Sequence, residues 1–175
     1  MLRLLSIGRF SYPKNYDNVP DICRRILNLG ESEIKWFIIG YGPDEKLIRT
    51  KIAEVGMENR VILLGKRTNP YPYIKACDIY VQPSRYEGNS VTVREAQMLY
   101  KPVVVTNYPT ASSQIKDGKD GVIVPLDNQG CAEGIVNLIR DKVKQEKIIH
   151  YLNTHDYGNE AEVGKLYAII DAKLC

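Results

Sequence analysis

The run Ile79-Tyr80-Val81-Gln82, followed by Pro83-Ser84-Arg85-Tyr86-Glu87-Gly88-Asn89-Ser90 and then Val91-Thr92-Val93-Arg94-Glu95-Ala96, decides how the chain is read. Three residues of high β-propensity, then Gln82, end at a Pro-Ser pair, and a polar loop leads into a segment with helical spacing over Val91–Leu99. A strand that passes through such a loop into a helix places free amide N–H groups at the strand's carboxyl end. The positive end of the helix dipole points the same way, which suits a phosphate. Asn89 or Ser90 is expected to cap the helix. Glu87 stands before the helix and Glu95 inside it, and a carboxylate can accept from two adjacent hydroxyls. The spacing alone fits a surface helix with two solvated glutamates. The strand–loop–helix context, with Gly88-Asn89-Ser90 and Ala96 on the flanks, points to a ligand site.

The same alternation extends in both directions. Short apolar runs at Leu2–Ile7, Lys35–Ile39, Val61–Leu64, Ile79–Gln82, Val103–Thr106 and Val122–Val124 have the length of strands buried on both faces. Helices are expected at Val19–Leu29, Asp44–Val55, Pro72–Ala76, Val91–Leu99 and Gly130–Arg140. A lysine-rich helical stretch follows, then a last amphipathic helix over Ala161–Ala172. Strand–helix alternation implies right-handed βαβ units. The expected fold is therefore α/β: a Rossmann-like doubly wound parallel sheet of about six strands with helices on both faces. In such sheets ligands lie beyond the carboxyl ends of the strands.

Two more loops fall at that edge. Gly8-Arg9-Phe10-Ser11-Tyr12-Pro13-Lys14-Asn15 carries two cations five apart, a planar fork and a mobile point charge suited to a diphosphate. Gly40-Tyr41-Gly42-Pro43 would let backbone approach a ligand closely. Taken alone, the first loop reads more readily as an ordinary strand exit with surface cations, and the second as a plain turn.

At 175 residues the chain suffices for one domain. It is 44% hydrophobic and 26% charged, with a net charge of +3 spread along its length. No basic stripe interleaved with aromatics is present, so a nucleic-acid partner is not expected. No run approaches the ~18 apolar residues of a membrane span, and Met1–Ile7 is too short for a signal peptide. A cytoplasmic location is expected, with peripheral contact at the inner membrane face left open. Cys23, Cys77, Cys131 and Cys175 form no metal-binding or redox pair and are expected to be structural. His150 and His155 do not share a helical face, so no metal site is expected.

Taken in order, these segments resemble the C-terminal, donor-binding domain of the retaining family 4 ("group 1") glycosyltransferases of the GT-B fold. Gly8-Arg9 with Lys14-Asn15 is similar to the family's G-R-x4-K-G/N loop, and Gly40–Pro43 to its G-x-G-P turn. Val61–Gly65 is similar to V-x-F-L-G, and Ala76–Ser84 to the A-D-x4-P-S strand. Glu87 to Glu95 is similar to E-x7-E, Lys101–Thr106 to P-V-V-x-T, and Asp117–Pro125 to D-G-x-x-G-x-x-V. Together these segments span almost the whole chain.

The resemblance implies roles. Arg9 and Lys14 would neutralise the donor's diphosphate without a metal or other cofactor, and the backbone amides of Asn89, Ser90 and Val91 would bind the same phosphates. Gly8 and Gly88 would belong to the same donor-binding loops. Glu87 would hold hydroxyls of the transferred sugar and Glu95 those of the ribose, with Lys66 and Arg67 against the base. The donor would be a nucleotide sugar, UDP by family frequency, and the acceptor a glycan or lipid-linked molecule in polysaccharide biosynthesis. The chain departs from the family at Gly88-Asn89-Ser90, where Phe-Gly is common, and at Asn107–Gln114, where a glycine-rich turn is usual.

The chain starts almost on the donor domain's first strand, so the resemblance implies a missing N-terminal acceptor domain. It would bind nucleotide yet transfer little sugar alone. The alternatives are a non-catalytic nucleotide-binding or partner-assembly module, or part of a GT-B nucleotide-sugar epimerase.

Overall fold

The computed structural model describes residues 1–158; the helix expected at Ala161–Ala172, and Cys175, lie outside the described residues. Six parallel strands form one sheet: β1 (Leu2–Ile7), β2 (Ile34–Ile39), β3 (Val61–Gly65), β4 (Ile79–Gln82), β5 (Val103–Thr106) and β6 (Val122–Val124). Their order is β3-β2-β1-β4-β5-β6. The helices are α1 (Val19–Asn28), α2 (Glu45–Val55), α3 (Tyr71–Ala76), α4 (Val91–Met98), α5 (Ala111–Gln114), α6 (Asn128–Arg140) and α7 (Lys142–Thr154). A single 3-10 turn spans Tyr12–Lys14. Most expected boundaries lie within one or two residues of these, and α5 was not foreseen.

Alternation along each strand divides the core in two. Leu4, Trp36, Ile38, Ile79, Val81 and Val104 face α1, α2, α6 and α7. Leu5, Ile39, Tyr80, Val103 and Val105 face α3, α4 and α5. The one polar residue deep in β1 is satisfied: Ser6 Oγ donates to the Val81 carbonyl (2.6 Å) and accepts from Trp36 Nε1 (2.9 Å). The chain winds from β1 outward through β2 to β3, then returns to β4 and winds the other way. The reversal lies between β1 and β4, so a crevice is expected where the loops after those two strands diverge.

Candidate functional site

The loop after β1 is held to the loop after β4 at several points. Asn15 adopts a left-handed conformation (φ 61°), which asparagine tolerates, and its buried side chain donates to the Pro83 carbonyl (2.8 Å). The Arg85 amide donates to the Pro13 carbonyl (2.8 Å). Its guanidinium grips Asp17 with both Nη1 (3.0 Å) and Nη2 (2.9 Å), and lies 4.3 Å from the centre of the Tyr12 ring. Neither Arg85 nor Asp17 was singled out from sequence; 68 residues separate them, and no local pattern marks such a pair.

This stapling brings Lys14 to Glu87. Lys14 Nζ lies 2.6 Å from Glu87 Oε1, with the Glu87 side chain only 10% exposed. The same oxygen accepts from Ser84 Oγ (2.7 Å) and Gln82 Nε2 (3.0 Å). Three buried tyrosines stand around this carboxylate. Burial, and then the charge on Glu87, pushes the Tyr108 phenol up to about 12. Tyr16 and Tyr80 are likewise raised above their ordinary range, chiefly by burial. All three therefore stay neutral at ordinary pH.

Beside Glu87, α4 begins with no side-chain cap. Ser90 occupies the cap position, but its hydroxyl bonds none of the helix amides, contrary to the expected cap. Instead the Ser90 backbone is clasped on both sides by the buried Gln114: its amide donates to Gln114 Oε1 (3.0 Å) and its carbonyl accepts from Gln114 Nε2 (2.7 Å). The Ser90 amide is thus committed within the protein, which corrects the expectation that it faces phosphate. The amides of Asn89 and Val91 meet no acceptor among the described residues. Thr110 Oγ1 adds a bond to the Glu87 carbonyl (2.6 Å). The segment Asn107–Gln114, where the family's glycine-rich turn is missing, therefore acts as a bracket for this loop.

A cleft of about 400 Å³ opens next to the pair, lined by Ile7, Gly8, Arg9, Ile39, Gly40, Tyr41, Lys66 and Arg67. Gly8 joins the two regions, since a β-carbon there would stand 3.1 Å from Lys14 Cε. Arg9, Lys66 and Arg67 are exposed, and Lys66 Nζ lies 5.2 Å from the Tyr41 ring centre. Gly88 is exposed at the loop tip. Glu95, further along α4, accepts from the hydroxyl of Tyr71 (3.1 Å).

The glycines of Gly40–Pro43 answer to the protein itself. A β-carbon on Gly40 would fall 1.9 Å from the Gly8 carbonyl oxygen, and one on Gly42 would fall 2.3 Å from that of Phe10. The close approach foreseen for a ligand is made by the first loop. A separate apolar cavity of about 210 Å³ lies among Leu5, Phe37, Leu64, Tyr73 and Ala76. Of its two bordering groups that carry chemistry, Arg3 is committed to Asp78 (2.9 Å), and burial pushes the Cys77 thiol up to about 12, so it stays neutral.

The chain as a whole has clear relatives. Residues 2–155 match the family model described as glycosyl transferases, group 1. An N-acetylgalactosaminyltransferase of Campylobacter jejuni, named for a diphospho-undecaprenol acceptor, is 27% identical over 140 residues, covering 79% of this chain and 37% of that protein. The lipopolysaccharide core biosynthesis glycosyltransferase LpsE of Rhizobium meliloti is 24% identical over 98% of this chain and 48% of its own length. The chain thus spans half or less of these relatives. Among solved structures, Anabaena HepE in complex with UDP superposes with a TM-score of 0.79 at 22% identity, over 98% of this chain and 49% of that one. A mutant of S. aureus TarM, solved with fondaparinux, alpha-GlcNAc-glycerol and UDP, gives 0.84 at 23% identity, over 95% and 34%. These two likenesses show the fold. With the family model spanning nearly all of the described residues, the chain belongs to the group 1 glycosyl transferases.

Proposed function

We propose that this domain binds a nucleoside diphosphate sugar and forms the donor half of a retaining transferase. The carrying observation is the meeting, at the sheet's switch point, of Lys14, Glu87 and an uncapped helix start, beside a cleft edged by Arg9. Arg9 and Lys14 neutralise the diphosphate, and the amides of Asn89 and Val91 at the dipole end of α4 add donors. As the bond between sugar and phosphate breaks, these groups stabilise the leaving nucleoside diphosphate, supplying the positive charge that other transferases draw from a metal. Glu87 holds the transferred sugar, Glu95 the ribose hydroxyls, and Lys66 and Arg67 flank the base. UDP is the nucleotide carried by both HepE and TarM in the structures above, which supports a UDP-sugar.

The acceptor is a glycan or a lipid-linked molecule, in keeping with the named acceptor of the C. jejuni relative. It is bound by a second domain, as the relatives' greater length supports. Among the described residues no helix is long and apolar enough to cross a membrane. A cytoplasmic enzyme touching the membrane surface to meet its acceptor fits this reading.

Calorimetric titration with UDP, GDP and ADP, free and sugar-linked, tests the proposal. Arg9→Ala and Lys14→Ala should each weaken nucleotide binding by roughly tenfold to a hundredfold, the worth of one or two charge-assisted hydrogen bonds. A well-folded protein that binds none of these nucleotides would point instead to a partner-assembly module. Sugar transfer at an intact enzyme's rate by this chain alone would refute the two-domain part.

A further inference from the structure

Gln82 ends β4, a strand otherwise made of Ile79, Tyr80 and Val81, and it is fully buried. A buried amide in that setting is costly unless every polar atom is used. Here Nε2 donates both hydrogens, to Ser84 Oγ (2.8 Å) and to Glu87 Oε1 (3.0 Å). Its Oε1 faces the Tyr80 hydroxyl (3.0 Å), which also reaches Thr92 Oγ1 (2.7 Å). The opposite orientation of the amide would set its carbonyl oxygen against the Glu87 carboxylate, so electrostatics selects the one observed. The effect converges on a single atom. Glu87 Oε1 accepts from Lys14, Ser84 and Gln82, while Oε2 meets no donor among the described residues.

We infer that Gln82 is a positioning residue that makes Glu87 a one-oxygen reader of the transferred sugar. With Oε1 saturated, only Oε2 is left to accept from the ligand. The site then reads one hydroxyl of the sugar ring through Oε2, in place of two adjacent hydroxyls gripped by both oxygens. This inference rests on the proposed role of Glu87 as sugar contact.

The test is calorimetric titration of the full chain with UDP-glucose, its 2-, 3-, 4- and 6-deoxy analogues, and UDP. In the wild type, one deoxy analogue should bind on the order of tenfold to a hundredfold more weakly than the parent, its neighbours much less. In Gln82→Met, close in shape but without donors, the ratio between that analogue and the parent should shrink below about threefold. A merely structural defect would weaken every analogue alike and keep the ratio. Ser84→Ala removes a second donor to the same oxygen at little change in volume, and should shrink the ratio in the same direction. Two adjacent deoxy analogues losing equally in the wild type, or a wild-type ratio persisting in both variants, overturns the inference. Absence of binding to UDP and UDP-sugars alike overturns the donor-domain proposal and this inference with it, whereas UDP binding without any deoxy contrast overturns the inference alone.

Discussion

Alanine in place of Gly42 puts a methyl group where the first loop's backbone already stands. The new β-carbon would lie 2.3 Å from the Phe10 carbonyl oxygen and 2.8 Å from the Phe10 nitrogen. Ordinary contact needs about 1 Å more, and both atoms are main chain, so no side-chain rotation relieves the clash. The Phe10 amide donates to the Tyr41 carbonyl (2.9 Å) and its carbonyl accepts from Asp44 (3.1 Å). A 1 Å retreat, roughly, breaks both bonds at about 1 kcal/mol each. It also shifts Phe10, which is fully buried and packed edge-on against Tyr16 (5.9 Å between centroids). Overpacking adds about 1–3 kcal/mol. The expected loss is about 3–5 kcal/mol, or roughly 6–20 °C in Tm for a domain of this size.

Urea titration followed by fluorescence of Trp36, the only tryptophan and fully buried, reads it directly. Gly56→Ala is the matched control. That residue is left-handed (φ 69°) at the end of α2 with no atom within 4 Å of the added carbon, so conformational strain alone should cost about 1–2 kcal/mol. A Gly42→Ala loss no larger than that of Gly56→Ala would refute the argument that the first loop, and not a ligand, dictates glycine here.

The thiols of Cys23, Cys77 and Cys131 are each pushed up to about 12 by burial. They should resist iodoacetamide at mildly alkaline pH in the native protein and react fully in denaturant, as mass-spectrometric mapping would read; native labelling of any of the three contradicts their burial. At Asp21, burial favours the neutral acid, but hydrogen bonds from Arg25, Asn128 and Arg24 outweigh it and hold the carboxyl below its ordinary 3.8. Asp78 is lowered in the same way, burial being outweighed by Arg3. A depressed folded-state pKa contributes stability that is present above about 3.8 and lost as pH falls through the folded value. Asp21→Asn should therefore lower stability at neutral pH and flatten its decline below that point. Parallel acid-unfolding curves for variant and wild type would rule the contribution out.

The periodicities in the chain carry most of the architecture. Runs such as Val103-Val104-Val105 can hardly be anything but buried strands, and the apolar stripe of α1 demands a sheet to cover. Short elements were less legible: α5 has four residues, too few to show a period. The candidate site's residue types were also readable, because Arg9, Lys14 and Glu87 sit in loops, and Glu95 in the helix α4 that follows, at positions set by local strand–helix order. Their partnerships were not. Gln82 looks like one more residue of an apolar strand, and Gln114 like one more in a polar turn, until folding sets them beside Glu87 and Ser90.

The order of apolar runs and turns was enough to determine the layered sheet and the edge at which the candidate site lies, since burial and backbone geometry act over a few neighbouring residues. Only the tertiary structure decided which oxygen of Glu87 takes up the Lys14, Ser84 and Gln82 donors, which amide α4 surrenders to Gln114, and why Gly42 has no side chain. Those outcomes depend on atoms from segments far apart in sequence meeting closely, 24 residues apart for Ser90 and Gln114 and 73 for Lys14 and Glu87, and no local pattern encodes such a meeting.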